Sequence, residues 1–133
     1  RAGALIGIVR GVPLTPAETW HRLTAWERHA EFVPLTKIAL TSHGFDAFTG
    51  VGRLGFHDPM EVVESREPSY CRLEKRGRVV KGWAELSVEP HEGGSRVTWR
   101  EDIMVRGVPR AFDAVTRRAS TQLFSRVIDG LLA

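Results

Sequence analysis

The stretch PRAFDAVTRRASTQLFSRVIDGLLA, residues 109–133, decides how the rest of the chain must fold. Phe112, Val115, Ala119, Leu123, Val127 and Leu131 recur at helical spacing, and Arg117, Arg118 and Arg126 flank the stripe they form. The pattern predicts one uninterrupted amphipathic helix from about Arg110 to Leu131. A helix of about 22 residues is roughly 33 Å long, enough to cross a sheet. Its small residues Thr116, Ala119 and Ser120 lie mid-length, where bulk would otherwise fill the space beneath. Upstream, from Leu35 onward, the apolar period is two. A curved antiparallel sheet with one apolar face has nothing to bury it against until this last helix arrives. The expected architecture is therefore α+β, with a small-molecule cavity between sheet and helix.

The remaining elements follow from punctuation. Ala4 to Val12 alternates and ends at Pro13, a first strand expected at a sheet edge. Thr15-Pro16-Ala17-Glu18 places an N-cap, a first-turn proline and a capping-box acid in order, so a helix begins there. A second short helix is expected from Glu27 to about Phe32, stopping before Pro34. Candidate strands cover 35–43, 51–57, 60–67, 70–77, 79–89 and 95–106, seven with the first. Their connections at Gly44-Phe45-Asp46, Asp58-Pro59, Glu67-Pro68-Ser69, Gly77 and Glu92-Gly93-Gly94-Ser95 are too short for crossovers, so neighbouring strands run antiparallel. Residues 1–133 read as one domain.

Composition bounds the function. With 42% hydrophobic and 26% charged residues the chain is an ordinary globular one, and no apolar run spans a bilayer. Arg1-Ala-Gly leads straight into strand pattern and is not signal-like, while the missing initiator Met leaves open whether a leader was removed before Arg1. Cys71 is the only cysteine, which excludes an internal disulfide, fits a cytoplasmic protein and reads as apolar packing. Sixteen of the nineteen basic residues are arginine and asparagine is absent, which reads as a GC-rich bacterial genome rather than function. Lys75, Arg76, Arg78 and Lys81 cluster around Gly77 without interleaved aromatics. They are expected to be a solvated hairpin, and no nucleic-acid partner is expected.

The chemistry-bearing motifs are weak. Gly50-Val51-Gly52-Arg53-Leu54-Gly55 spells GxGxxG, but strand rather than helix follows it, so no dinucleotide site is expected. The histidines at 21, 29, 43, 57 and 91 are scattered, so neither a metal nor another cofactor is expected. His57-Asp58 is the one adjacent histidine–carboxylate pair, expected to lie solvated in a turn. In the last strand Val97, Trp99, Glu101, Ile103 and Val105 share a face that looks inward, which carries Glu101 inward too. A buried carboxylate needs a partner, and Arg66 or Lys75 could supply it. On strand 60–67, Met60, Val62, Glu64 and Arg66 share one face and Glu61, Val63 and Ser65 the other, leaving the register open. Trp83 faces out by parity, against an inward set of Gly82, Ala84, Leu86 and Val88.

Pro13-Leu14-Thr15-Pro16-Ala17-Glu18-Thr19-Trp20, Thr24-Ala25-Trp26, Gly93-Gly94-Ser95-Arg96-Val97-Thr98-Trp99 and the long terminal helix, in that order, resemble the helix-grip superfamily. It includes START lipid-transfer domains, pollen-allergen-like proteins and polyketide aromatase/cyclases. The likeness spans nearly all residues and is nearest to the small bacterial polyketide cyclase/dehydrase-like proteins. It implies about seven strands around the C-terminal helix, with two short helices after the first strand. In aromatase/cyclases an arginine on a mid-sheet strand and pocket tryptophans orient the polyketide. By position Arg66, Trp26 and Trp83 correspond, although Glu64 and Val62 stand where that family has hydroxyl and aromatic residues.

Three functional readings result. The first is a non-catalytic binder of a hydrophobic, lipid-like or polycyclic ligand, with Trp99, Phe56 and Leu73 from the sheet and Phe112, Val115, Thr116 and Ala119 from the helix as contacts. Trp26 would serve as a further wall and Glu101 would orient the ligand's polar end. The second is a cyclase, aromatase or dehydrase with Arg66 stabilising an enolate and Glu101 or Glu64 moving protons. The third is an interaction module forming a homodimer through an exposed strand and outward Trp83.

Overall fold

Seven strands form one antiparallel sheet in the computed structural model, which describes residues 4–133. They are β1 (Ala4–Val12), β2 (Thr36–Leu40), β3 (Gly44–Val51), β4 (Leu54–Arg66), β5 (Tyr70–Arg76), β6 (Val80–His91) and β7 (Gly94–Val105), in the spatial order β1-β7-β6-β5-β4-β3-β2. Helix α1 (Pro16–Leu23) and a 3₁₀ helix (Trp26–Phe32) follow β1, and helix α2 (Asp113–Leu132) closes the chain. Arg1-Ala-Gly lies outside the described residues.

Local chemistry sets the elements. Thr15 caps α1 by accepting from the Glu18 N–H at 3.1 Å with Pro16 in the first turn. Only half of the expected capping box forms, because the Glu18 carboxylate pairs with Arg22 instead, at 2.9 Å. β7 alternates as expected, burying Val97, Trp99, Glu101 and Ile103. β1 lies at a sheet edge and buries Ala4, Ile6 and Ile8 while Leu5 and Val9 face out.

Three sequence expectations are corrected by the backbone. Gly44-Phe45-Asp46 is the start of β3 rather than a turn, and Asp58-Pro59 lies inside β4, so 51–57 and 60–67 belong largely to one strand. Pro59 is tolerated there because pairing with β5 begins only at Met60↔Lys75, leaving no ladder bond for its missing N–H to break. The turn is instead at Gly52-Arg53, and the GxGxxG run is the β3–β4 hairpin, with Gly50 opposite Gly55. The third correction concerns the register of 60–67. The β4–β5 pairing shifts between Val62 and Glu64, so Met60 and Val62 face the core while Glu64 and Arg66 turn to the outer face.

The terminal helix does not lie flat on the whole sheet. It packs on β1, α1 and the 3₁₀ helix, and its C-terminal half supplies Val127, Ile128 and Leu131 to the core. Gly130 permits the close approach: a Cβ there would lie 2.3 Å from the Phe32 ring. Arg10 pairs with Asp129 at 2.9 Å, and Arg22 donates to the Ala133 carbonyl at 2.9 Å, tying the helix end to β1 and α1. The N-terminal half stands away from the strands, leaving Phe112 52% and Val115 64% exposed.

Candidate functional site

Beneath α2 the sheet's concave face is not filled. A space of about 250 Å³ is bounded by six of the seven strands, by His29 and Val33 from the 3₁₀ helix and its end, and by Ser120, Leu123, Phe124 and Val127 from α2. Its wall is predominantly apolar: Ile38 and Phe45 on β2 and β3, Phe56 and Met60 on β4, and Trp99, Ile103 and Val105 on β7. Trp99 and Phe124 stack at 6.3 Å between ring centroids, joining sheet to helix.

One part of this wall is charged. Lys75 on β5 reaches Asp58 on β4 at 3.0 Å and Glu101 on β7 at 3.5 Å, and the Lys75 and Glu101 side chains are 2% and 1% exposed. β6 lies between β5 and β7, and its residues there are small. Gly82 pairs with Lys75, and Ala84 pairs with Glu101, so nothing bulky separates cation from anion. Gly82 is also required by the backbone, since at φ +133° a Cβ would sit 1.8 Å from the Asp102 carbonyl oxygen.

Electrostatics follow from the burial. Loss of solvent pushes the Glu101 carboxyl up to about 7; Lys75 opposes the rise and Asp58 adds to it. Burial works against the charge on Lys75, yet Glu101 and Asp58 outweigh it and hold the ammonium above its ordinary pKa. His29 is kept below its ordinary value by burial. Its Nε2–H donates to the Leu23 carbonyl at 2.8 Å, which fixes the neutral tautomer with a bare Nδ1. Three polar atoms of this wall are buried with no hydrogen-bond partner among the described residues: Asp58 Oδ1, Glu101 Oε2 and Trp99 Nε1.

The candidates named from sequence scatter in a telling way. Trp99, Glu101 and Phe56 line the space. Trp26 stands behind its wall, stacked on Phe45 at 5.3 Å. Leu73 is fully buried core beneath it. Phe112, Val115 and Ala119 are exposed and Thr116 is half-buried, none of them lining, because that half of α2 is lifted from the sheet. Arg66 and Glu64 sit on the outer face after the β4 register shift, paired with each other at 3.3 Å, and Arg66 lies over the Tyr70 ring. The structure brings neither near Glu101. Trp83 faces outward, as parity indicated, under the guanidinium groups of Arg72 and Arg100.

Asp58 and His29 are the site residues that sequence reasoning missed, whereas Lys75, one of the two partners expected for Glu101, is the one that meets it. His57 and Asp58, read as one pair, point to opposite faces: His57 bonds Asp46 at 2.7 Å outside, and Asp58 meets Lys75 inside. Lys75, read with a surface cluster, alternates with Cys71 and Leu73, and that parity was the signal for its inward direction. No group of three metal-ligating side chains occurs among the described residues, and no helix there is long and apolar enough to cross a membrane.

The family model described as polyketide cyclase / dehydrase and lipid transport matches residues 8–133. The chain belongs to this family. Solved structures place the fold. A START superfamily protein from Mycobacterium smegmatis superposes with a TM-score of 0.76 over 96% of each chain at 11% identity. Ara h 8.0201 does so with 0.69 over 98% of this chain and 99% of its own, at 11% identity. The di-domain ARO/CYC StfQ of the steffimycin biosynthetic pathway gives 0.72 at 10% identity, over 98% of this chain and 51% of that one. These likenesses show the helix-grip fold. No curated protein matches the chain by sequence.

Proposed function

We propose that this family member binds a small hydrophobic or polycyclic molecule in the space between the sheet and α2. One observation carries the reading: an apolar wall of about 250 Å³ has its charge gathered at Asp58, Lys75 and Glu101. A greasy enclosure with few placed polar groups is the ordinary form of a small-molecule site. Trp99 and Phe56 would contact the ligand's apolar body, and Glu101 its polar end. The family's description, which includes lipid transport, supports the same reading.

A second reading rests on Glu101 itself. A carboxyl pushed up to about 7 inside an apolar space is suited to giving and taking protons near neutral pH. A cyclase or dehydrase would use it as acid and base, and similarity in fold to an aromatase/cyclase accords with this. Arg66 cannot stabilise an enolate from the outer face, so that role falls to the Trp99 N–H.

Native mass spectrometry of freshly purified protein tests the first reading. A retained hydrophobe is expected, lost when Ser120→Trp fills the space; an empty chain that also takes up no added aromatic compound overturns it. For the enzyme reading, a rate profile with an apparent pKa near 7 should disappear in Glu101→Gln. For the homodimer, a monomer mass in sedimentation disposes of it.

A further inference from the structure

The hydrogen-bonding inventory at the charged end of the space is lopsided. On the acceptor side, Glu101 Oε2 and Asp58 Oδ1 are buried and without partners among the described residues. Neutral His29 adds no donor to the space, since its one N–H is given to Leu23. On the donor side, Lys75 is spent. Its ammonium meets Asp58 Oδ2 at 3.0 Å, Glu101 Oε1 at 3.5 Å and Met60 Sδ at 3.7 Å, matching its three hydrogens. The indole N–H of Trp99 is the one buried donor left open there among the described residues.

Charge points the same way. Lys75 contributes one positive charge against two carboxylates, so an entering carboxylate or phosphate would find no uncommitted cation and two carboxylates in the wall. Burying an anion on those terms is costly. A hydroxyl fits the inventory better than the alternatives. It donates its proton to a carboxylate oxygen and accepts from an indole N–H, whereas an ether only accepts and an ammonium only donates.

We propose that the cavity selects apolar molecules bearing a neutral hydroxyl, a phenol or an alcohol, and discriminates against carboxylates and phosphates, with Asp58 Oδ1 and Glu101 Oε2 as the accepting atoms. The proposal rests on the cavity being a binding site and adds which headgroup it takes. Lys75 from β5 and Asp58 from β4 act on Glu101, and His29 from the 3₁₀ helix and the neutral Ser120 of α2 line the same space.

Three probes of one shape decide the matter: 2-naphthol, 2-methoxynaphthalene and 2-naphthoate, titrated calorimetrically into the full chain at pH 8. 2-Naphthol is expected to bind at least tenfold tighter than the methyl ether and at least tenfold tighter than the carboxylate. In Glu101→Gln, whose amide can donate as well as accept, the preference over the ether should fall to threefold or less, with Asp58→Asn as the second variant should the first not fold. The wild-type series needs no variant at all. If 2-naphthoate binds best, Lys75 is an anion anchor and the headgroup inference is overturned while the binding site stands. Equal affinity for all three has the same consequence. If none binds, or if binding survives Ser120→Trp, the binding-site reading falls and takes this inference with it.

Discussion

Replacing Glu101 with glutamine removes one ionisable group from the interior and leaves its shape nearly unchanged, which isolates what burial does to that carboxyl. The side chain is 1% exposed, and its pKa rises from an ordinary 4.5 to about 7 in the fold. The folded protein therefore holds this proton more tightly than the unfolded chain does. The stabilisation from protonation is fully present below about pH 4.5, declines as pH rises, and is gone above about pH 7. At 1.36 kcal/mol per unit of pKa, the difference between 4.5 and about 7 is worth about 3 kcal/mol. Urea unfolding of wild type and Glu101→Gln, at half-unit steps from pH 4 to 8.5, gives the curve for this one group by subtraction, since the other titrating groups occur in both proteins. Wild type should lose about 3 kcal/mol relative to the variant across that window. Two curves that stay parallel to within about 0.5 kcal/mol would show a solvated carboxylate and refute the buried cluster.

Lys75→Met keeps the aliphatic stem and strips the charge from between two carboxylates; removing one partner of a buried pair costs about 3–5 kcal/mol, and the loss should be smaller at pH 5, where Glu101 takes up its proton. Urea midpoints at pH 5 and pH 8 check both statements. Ser120→Trp should abolish binding of naphthalene-sized probes with a small stability change, because Ser120 borders open space rather than packed core. Cys71, buried and with its thiol pushed up to about 12, should resist a water-soluble disulfide reagent in native protein at pH 8 and react on unfolding.

Much of this arrangement is legible in the chain before any coordinates. Period-two patterning places Glu101 inward, because Trp99 and Ile103 flank it on a face that has to be buried. The same parity, applied to Cys71 and Leu73, marks Lys75 as inward, which agrees with its reading as a partner for Glu101 and overrides its reading with Arg76 and Arg78 as a solvated hairpin. Asp58 is harder to read, since Asp-Pro punctuates turns and only the unpaired edge of β4 at that point lets Pro59 sit in a strand. Arg66 misleads for a related reason: one extra residue in β4 rotates everything after Val62 to the other face, and too few residues follow the bulge to leave a periodic trace. The length and apolar stripe of α2 are plain in the sequence, but its tilt depends on Gly130 against Phe32 and on anchors at Arg10 and Arg22, which are tertiary facts.

The Trp99 indole N–H offers the most direct view of the interior, as a single resonance from a buried atom of a residue that lines the space. In a heteronuclear spectrum recorded with rising 2-naphthol, the account predicts saturable shifts at this N–H and at the methyl groups of Ile38, Ile103 and Val127, with Ile6 and Val97 hardly moving. Shifts confined to outer-face residues around Trp83, or none at saturating probe, would contradict a ligand site between sheet and helix.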